Sequence, residues 1–131
     1  MDTHSHTHCL SAMPALRQAL AVLNGKWKLP ILMALRTGSS RFGEIERSVP
    51  GISAKVLAKE LKDLEDHRLI QRSVHPGPPV VVSYAVLPYA QTLDPLIFML
   101  RDWGSQHQQL LESTPLASTR VSSPAQEKER T

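Results

Sequence analysis

Between Pro50 and Asp66 the chain reads PGISAKVLAKELKDLED, and two kinds of side chain recur there with nearly the same spacing. Leucines stand at Leu57, Leu61 and Leu64, and lysines at Lys55, Lys59 and Lys62. Positions three and four apart share a face of an α-helix, so one helix would carry an inward apolar stripe and an outward cationic one. A cationic stripe suits the neutralisation of phosphates on a polyanion, and the first helical turn adds N–H groups and a positive dipole end. Ser53 is of the right type to cap that turn. The competing reading is an ordinary solvated helix, in which Glu60, Asp63, Glu65 and Asp66 pair with the lysines.

A second group of chemistry-bearing residues lies in HSHTHC, with His4, His6, His8 and Cys9. Imidazole and thiolate are metal ligands, but this alternating spacing suits an extended strand better than a closed tetrahedral site. Cys9 is the only cysteine, so it cannot form an intrachain disulfide. A sensing thiol there would need the neighbouring histidines to be protonated. The remaining histidines, His67, His75 and His107, are scattered. No paired-carboxylate cleft, Ser-His-Asp arrangement or Gly-rich phosphate loop is visible, so neither an enzyme nor a cofactor is expected.

Around these residues the chain is 131 long and 41% apolar, enough for one domain with a modest core. No run is apolar enough to span a bilayer, and MDTHSHTH lacks a signal-peptide pattern, so a cytoplasmic protein is expected. The formal charge is +3 overall, but the stretch from Pro14 to Pro78 holds eleven Lys and Arg against six acids, a local +5. A basic middle of this kind points to a polyanionic partner.

The elements that must position the lysines follow from periodicity. Pro14 to Leu23 has Ala15, Leu16, Ala19, Leu20 and Leu23 at helical spacing, and Asn24-Gly25 stops it. Lys26 to Leu35 is a second helix with Pro30 near its first turn, ended by TGSS. Arg41-Phe42 reads as a brief extended lead-in to a short helix with Ile45 and Val49 inward. Pro50-Gly51 is a tight turn, and the lysine-bearing helix runs from Ser53 to about Asp66. Leu69 to Val74 and Val80 to Val86 read as the strands of a hairpin around the turn HPGPP. A long helix runs from about Tyr89 to Leu111 with Leu93, Leu96, Ile97, Leu100 and Trp103 on one side; Pro95 should kink it or begin a fresh helix after Asp94. Residues 1–12 are expected to be a flexible tail and residues 113–131 a disordered one. The expected fold is therefore mainly α (α+β): a winged helix-turn-helix with a two-stranded β-hairpin wing, in one domain over residues 13–112.

The segments NGKWKLPILMAL, RFGEIERSVPGISAKVLAKELKDLED, LIQRSV, VSYAVLPYAQTLDPL and RDWG resemble the HxlR-type family of bacterial transcriptional regulators. The likeness covers about Met13 to Gly104, and Gly25-Lys26-Trp27, Arg41-Phe42 and Pro50-Gly51-Ile52-Ser53 carry most of its specificity. It implies a MarR-like winged helix-turn-helix acting as a homodimer through its terminal helices. The apolar faces of Pro14 to Leu23 and Leu93 to Trp103 fit that role. Double-stranded DNA is the implied partner, with Ser53 to Glu65 as the helix in the major groove. Ser53, Ala54 and Lys55 would lie nearest the base edges, and Lys59 and Lys62 along the backbone. Arg41 would lie near the DNA backbone, and Arg72 and His75 on the wing, near the minor groove or backbone. Lys26 and Lys28 would flank the phosphate path, whereas Trp27 and Phe42 would belong to the core.

The resemblance also shows departures. The family's Cys-Pro before the first helix falls on Met13-Pro14, with Cys9 four residues earlier, which leaves Cys9 as the candidate redox sensor. The family's basic and acidic wing residues fall on Val81 and Ser83, and its Thr and Gly before the last helix on Leu87 and Ala90. The glycine usual after the DNA-reading helix is Arg68, which must then take a left-handed backbone conformation. Two readings of function result. One is a dimeric, sequence-specific DNA-binding regulator, a repressor reading a pseudo-palindromic operator, with an unknown small-molecule effector in the dimer crevice. The other is a winged-helix protein-interaction module without DNA binding. A metal-responsive role for the His-rich N-terminus is a third.

Overall fold

The structure, a computed structural model, describes residues 10–113. His4, His6, His8 and Cys9 lie outside these residues, as do 114–131. The order is helix α1 (Met13–Val22), helix α2 (Lys28–Arg36), helix α3 (Phe42–Ser48), helix α4 (Ala54–Asp66), strand β1 (Ile70–His75), strand β2 (Val81–Val86), a 3-10 helix (Pro88–Leu93) and helix α5 (Asp94–Ser113). This is the winged helix-turn-helix expected from the sequence. The elements up to Thr92 form one compact unit, and α5, from Leu93 onward, belongs to a second.

The core of the first unit is built from the inward stripes of three helices. Ile31, Leu32, Ala34 and Leu35 of α2, Ile45 of α3 and Leu57, Leu61 and Leu64 of α4 are all buried, and Ile70 of β1 joins them. Gly51 makes the turn between α3 and α4 with φ +89, a left-handed conformation that costs a glycine little. Ser53 then caps α4 as expected: its Oγ accepts a hydrogen bond from the Val56 N–H at 3.2 Å. Just beyond the end of α4 at Asp66, Arg68 has φ +62. The Arg68 N–H donates to the Glu65 carbonyl and the Leu69 N–H to the Leu64 carbonyl, with Leu69 and Leu64 both buried, the Schellman arrangement for a helix end.

The two strands form an antiparallel ladder from Ile70 opposite Val86 to His75 opposite Val81. The expected extended lead-in at Arg41 joins that ladder, because Arg41 bridges to Ser83 and the Tyr84 N–H donates to the Ser40 carbonyl at 2.8 Å. Trp27 and Phe42 are half-buried rather than fully enclosed. Pro95 begins a fresh helix, as the second of its two expected effects: the 3-10 turn ends at Leu93 and α5 starts at Asp94. Leu10 and Ser11 are already helical, within the stretch expected to be a flexible tail. No helix among the described residues is long and apolar enough to cross a membrane.

Two helices carry apolar surface that their own unit leaves in solvent. Helix α1 buries none of its residues, and Leu16 and Leu20 are 55% and 60% exposed. Of α5 only Ile97 is buried, while Phe98 and Trp103 are 50% and 61% exposed and Met99, Leu110 and Leu111 are exposed as well.

Candidate nucleic-acid interface

Helix α4 turns Ala54, Lys55, Ala58, Lys59 and Lys62 to solvent, opposite its leucines. The lysines are not equivalent. Lys59 pairs with Asp63 at 3.2 Å and Lys62 with Asp66 at 3.0 Å, each one turn along the same helix. Hydrogen bonding and then Coulomb attraction from Asp66 raise the Lys62 ammonium above its ordinary range. These pairs are the solvated-helix reading made concrete, yet both lie at the surface, where an ion pair is weak and screened by salt. Lys55 has no ion-pair partner among the described residues, so the cation in the first turn faces outward uncompensated.

Glu60 does not balance the stripe, because a buried cation from α2 holds it. Lys28, expected near a phosphate path, instead points inward with its side chain 4% exposed, which corrects that expectation. Its ammonium donates to Glu60, to Asp63 at 3.4 Å and to the Asn24 Oδ1 at 3.2 Å. Burial works against the charge, but the Glu60 and Asp63 carboxylates outweigh it and hold the Lys28 pKa above its ordinary value. On the Asp63 side, the Lys59 hydrogen bond is the largest influence, and the carboxyl sits below its ordinary range. Lys26 stays exposed, its ammonium 4.8 Å from the centre of the Trp27 ring.

The wing separates two residues that the sequence placed together. In an antiparallel ladder, opposed residues share a face and successive residues alternate. His75, Val81 and Ser83 therefore fall on one face of the ribbon, and Arg72 with its opposite residue Tyr84 on the other. The bridge from Arg41 to Ser83 brings Arg41 to the His75 face. There Ser40, Arg41, His75, Val81 and Ser83 line one cleft of about 430 Å³, and the His75 Nε2 and Ser83 Oγ are 2.9 Å apart in a hydrogen bond. Arg41 is held by its backbone: the Ser40 and Arg41 N–H groups donate to the Glu44 Oε1 at 2.9 and 3.1 Å. Those bonds, the Ser40 one first, lower the Glu44 pKa.

Sequence reasoning missed Ser40 and the part played by Ser83, since their juxtaposition depends on a bridge between distant segments. It also missed the burial of Lys28, although a signal existed. Lys28 precedes Ile31, Leu32 and Leu35 by three, four and seven residues, which places it on the same inward face. No group of three or more His, Cys, Asp or Glu that could hold a metal occurs among the described residues.

Comparison with known proteins agrees with this architecture. The family model described as HxlR-like helix-turn-helix matches residues 22–112. The chain is 32% identical over 94 residues to the uncharacterized HTH-type transcriptional regulator YybR of Bacillus subtilis, covering 72% of this chain and 75% of that one. It is 36% identical over 93 residues to YtcD, named likewise and from the same organism, covering 71% and 74%. Among solved structures, the redox regulator HypR in its reduced form superposes with a TM-score of 0.70 at 30% identity, over 76% of this chain and 99% of that one.

Proposed function

The chain belongs to the HxlR-like helix-turn-helix family, whose members are transcriptional regulators rather than enzymes, and from that premise we propose how it reads DNA. It acts as a homodimer in the cytoplasm through the domain of residues 13–112, repressing at a pseudo-palindromic operator. Each protomer lays α4 in the major groove, with Ser53, Ala54 and Lys55 at the base edges and Lys59 and Lys62 along the phosphates. Arg41, Arg72 and His75 add contacts beside it, and because Arg72 lies on the far face of the ribbon it serves a different strand segment from the other two.

The observation that carries this reading is the exposed, unpaired Lys55 in the first turn of a helix whose Glu60 is already neutralised from within by Lys28. Dimerisation is supported by the exposed apolar side chains of α1 and α5, which are large for surface residues of a monomer. The crevice between the partners' long helices is the place for a small-molecule effector. Cys9, the candidate redox switch, lies outside the described residues.

The test is selection of bound duplexes from a random pool at several salt concentrations, with Lys55→Ala alongside. Enrichment of an inverted repeat, lost in the variant, is expected. Salt-sensitive binding with no enriched sequence would remove operator reading. Absence of binding at low salt would favour the winged-helix protein-interaction module instead.

A further inference from the structure

We propose that Ser40, Arg41, His75 and Ser83 form a proton-gated pocket for one phosphodiester of the DNA backbone, made competent for the anion by charging of His75. The proposal rests on the DNA-binding reading above and adds a regulated site to it. The pocket has the right walls for an anion. Arg41 and His75 share one face of the wing, Ser40 and Ser83 line the same cleft with the Ser83 Oγ 2.9 Å from the His75 Nε2, and no carboxylate is among the lining residues. At about 430 Å³ and open to solvent, it can admit a phosphate group without rearranging the ribbon.

The groups facing His75 can be followed element by element. Strand β2 presents Val81 and Ser83, neither charged, and the lead-in to α3 presents Ser40 and Arg41. Behind Ser40 and Arg41, the Glu44 Oε1 is taken up by the Ser40 and Arg41 backbone N–H groups, with the Ser40 hydroxyl at 3.5 Å. Arg72 and Tyr84 belong to the opposite face.

The gate follows from the hydrogen bond between His75 and Ser83. A neutral imidazole has one nitrogen that accepts, and where that nitrogen is Nε2 the Ser83 hydroxyl proton is spent on it. An imidazolium donates from both nitrogens. From that tautomer, taking up one proton from solvent reverses the bond, so that Nε2–H donates to Ser83 Oγ and the Ser83 O–H is freed for an anion. The same proton places a second positive charge beside Arg41.

The experiment measures affinity for the selected duplex, or for a random-sequence duplex at low salt, at about pH 5.5 and about pH 8. Wild-type protein should bind about three- to tenfold more tightly at the lower pH, with a salt slope steeper by about 1 per protomer. In His75→Gln the affinity ratio between the two pH values should fall toward unity, and in Ser83→Ala it should shrink. His75→Lys, charged throughout, should bind tightly at both, a rescue that a merely structural role would not produce. An undiminished pH ratio in His75→Gln would overturn the proposal while leaving DNA binding intact. Competition by millimolar inorganic phosphate, lost in Arg41→Ala, would overturn the assignment to DNA in favour of a free phosphate. Failure of the wild type to bind any duplex would overturn both this proposal and the reading beneath it.

Discussion

Lys28 places an ammonium, its side chain 4% exposed, between α2 and α4. Removing one partner of a buried ion pair leaves the other desolvated and uncompensated. Lys28→Met keeps the apolar stem and strands Glu60, 12% exposed, along with part of Asp63. A loss of about 2 to 3 kcal/mol is expected in urea denaturation, below the value for a wholly buried pair because Asp63 reaches water. Adding Glu60→Leu should recover most of that loss; a double variant no more stable than the single one would show that the cost lies elsewhere than in the stranded carboxylate. The raised Lys28 pKa means that this stabilisation is complete below the ordinary lysine value of 10.5 and fades as pH rises through the higher folded value. Arg68 offers the opposite kind of change. Its φ of +62 suits glycine, so Arg68→Gly should stabilise the protein by about 0.5 to 1 kcal/mol, read as a higher denaturation midpoint at unchanged slope.

At the scale of elements, α4 divides its lysines by position. Lys59 and Lys62 engage only side chains of their own helix and, for Asp63, the shared Lys28, so they can exchange those partners for phosphate. Lys59→Ala and Lys62→Ala should each weaken binding about equally on all sequences and lower the salt slope by about 1, whereas Lys55→Ala should weaken the operator selectively. Equal losses on operator and random DNA for Lys55→Ala would place its ammonium on the backbone. Helix α3 is fastened differently. Glu44 accepts the Ser40 and Arg41 N–H groups and so holds the start of α3 against the edge of β2. Its pKa is lowered, so this stabilisation is present above the ordinary glutamate value of 4.5 and is lost as pH falls through the folded value. The unfolding midpoint should drop on acidification, and Glu44→Gln should flatten that decline.

At the scale of the whole molecule, the exposed apolar residues of α1 and α5 support the proposed homodimer, in which a two-fold axis would bring the same patch of each protomer together. Trp103, 61% exposed, adds little to the core of its own protomer. Trp103→Glu should shift the protein to a monomer in sedimentation while its helical circular dichroism persists. Specific DNA affinity should collapse with it, since half-sites about 34 Å apart need two linked α4 helices. A Trp103→Glu protein that remains dimeric would move the interface off this part of α5.

The sequence by itself determined the order of the helices and strands, the capped α4 helix and the hairpin, and narrowed Pro95 to a kink or a fresh helix start. Each of these is written in neighbouring residues, through a period of 3.6 or 2, a cap or a Pro, and needs no distant partner to be read, whereas the left-handed position of Arg68 is implied by the family resemblance. The leucine and lysine faces of α4 were legible for the same reason, and so was the exposed surplus of apolar surface on the terminal helices. Only the tertiary structure decided what those faces meet. It turned Lys28 from a surface cation into the buried counter-charge of Glu60, left Trp27 and Phe42 half-covered, put Arg72 and His75 on opposite faces of the wing, and joined Arg41 to Ser83. Strand register and helix packing set these relations between residues far apart in the chain. A one-residue slip in the ladder would reverse the wing's faces while leaving its local pattern of residues unchanged.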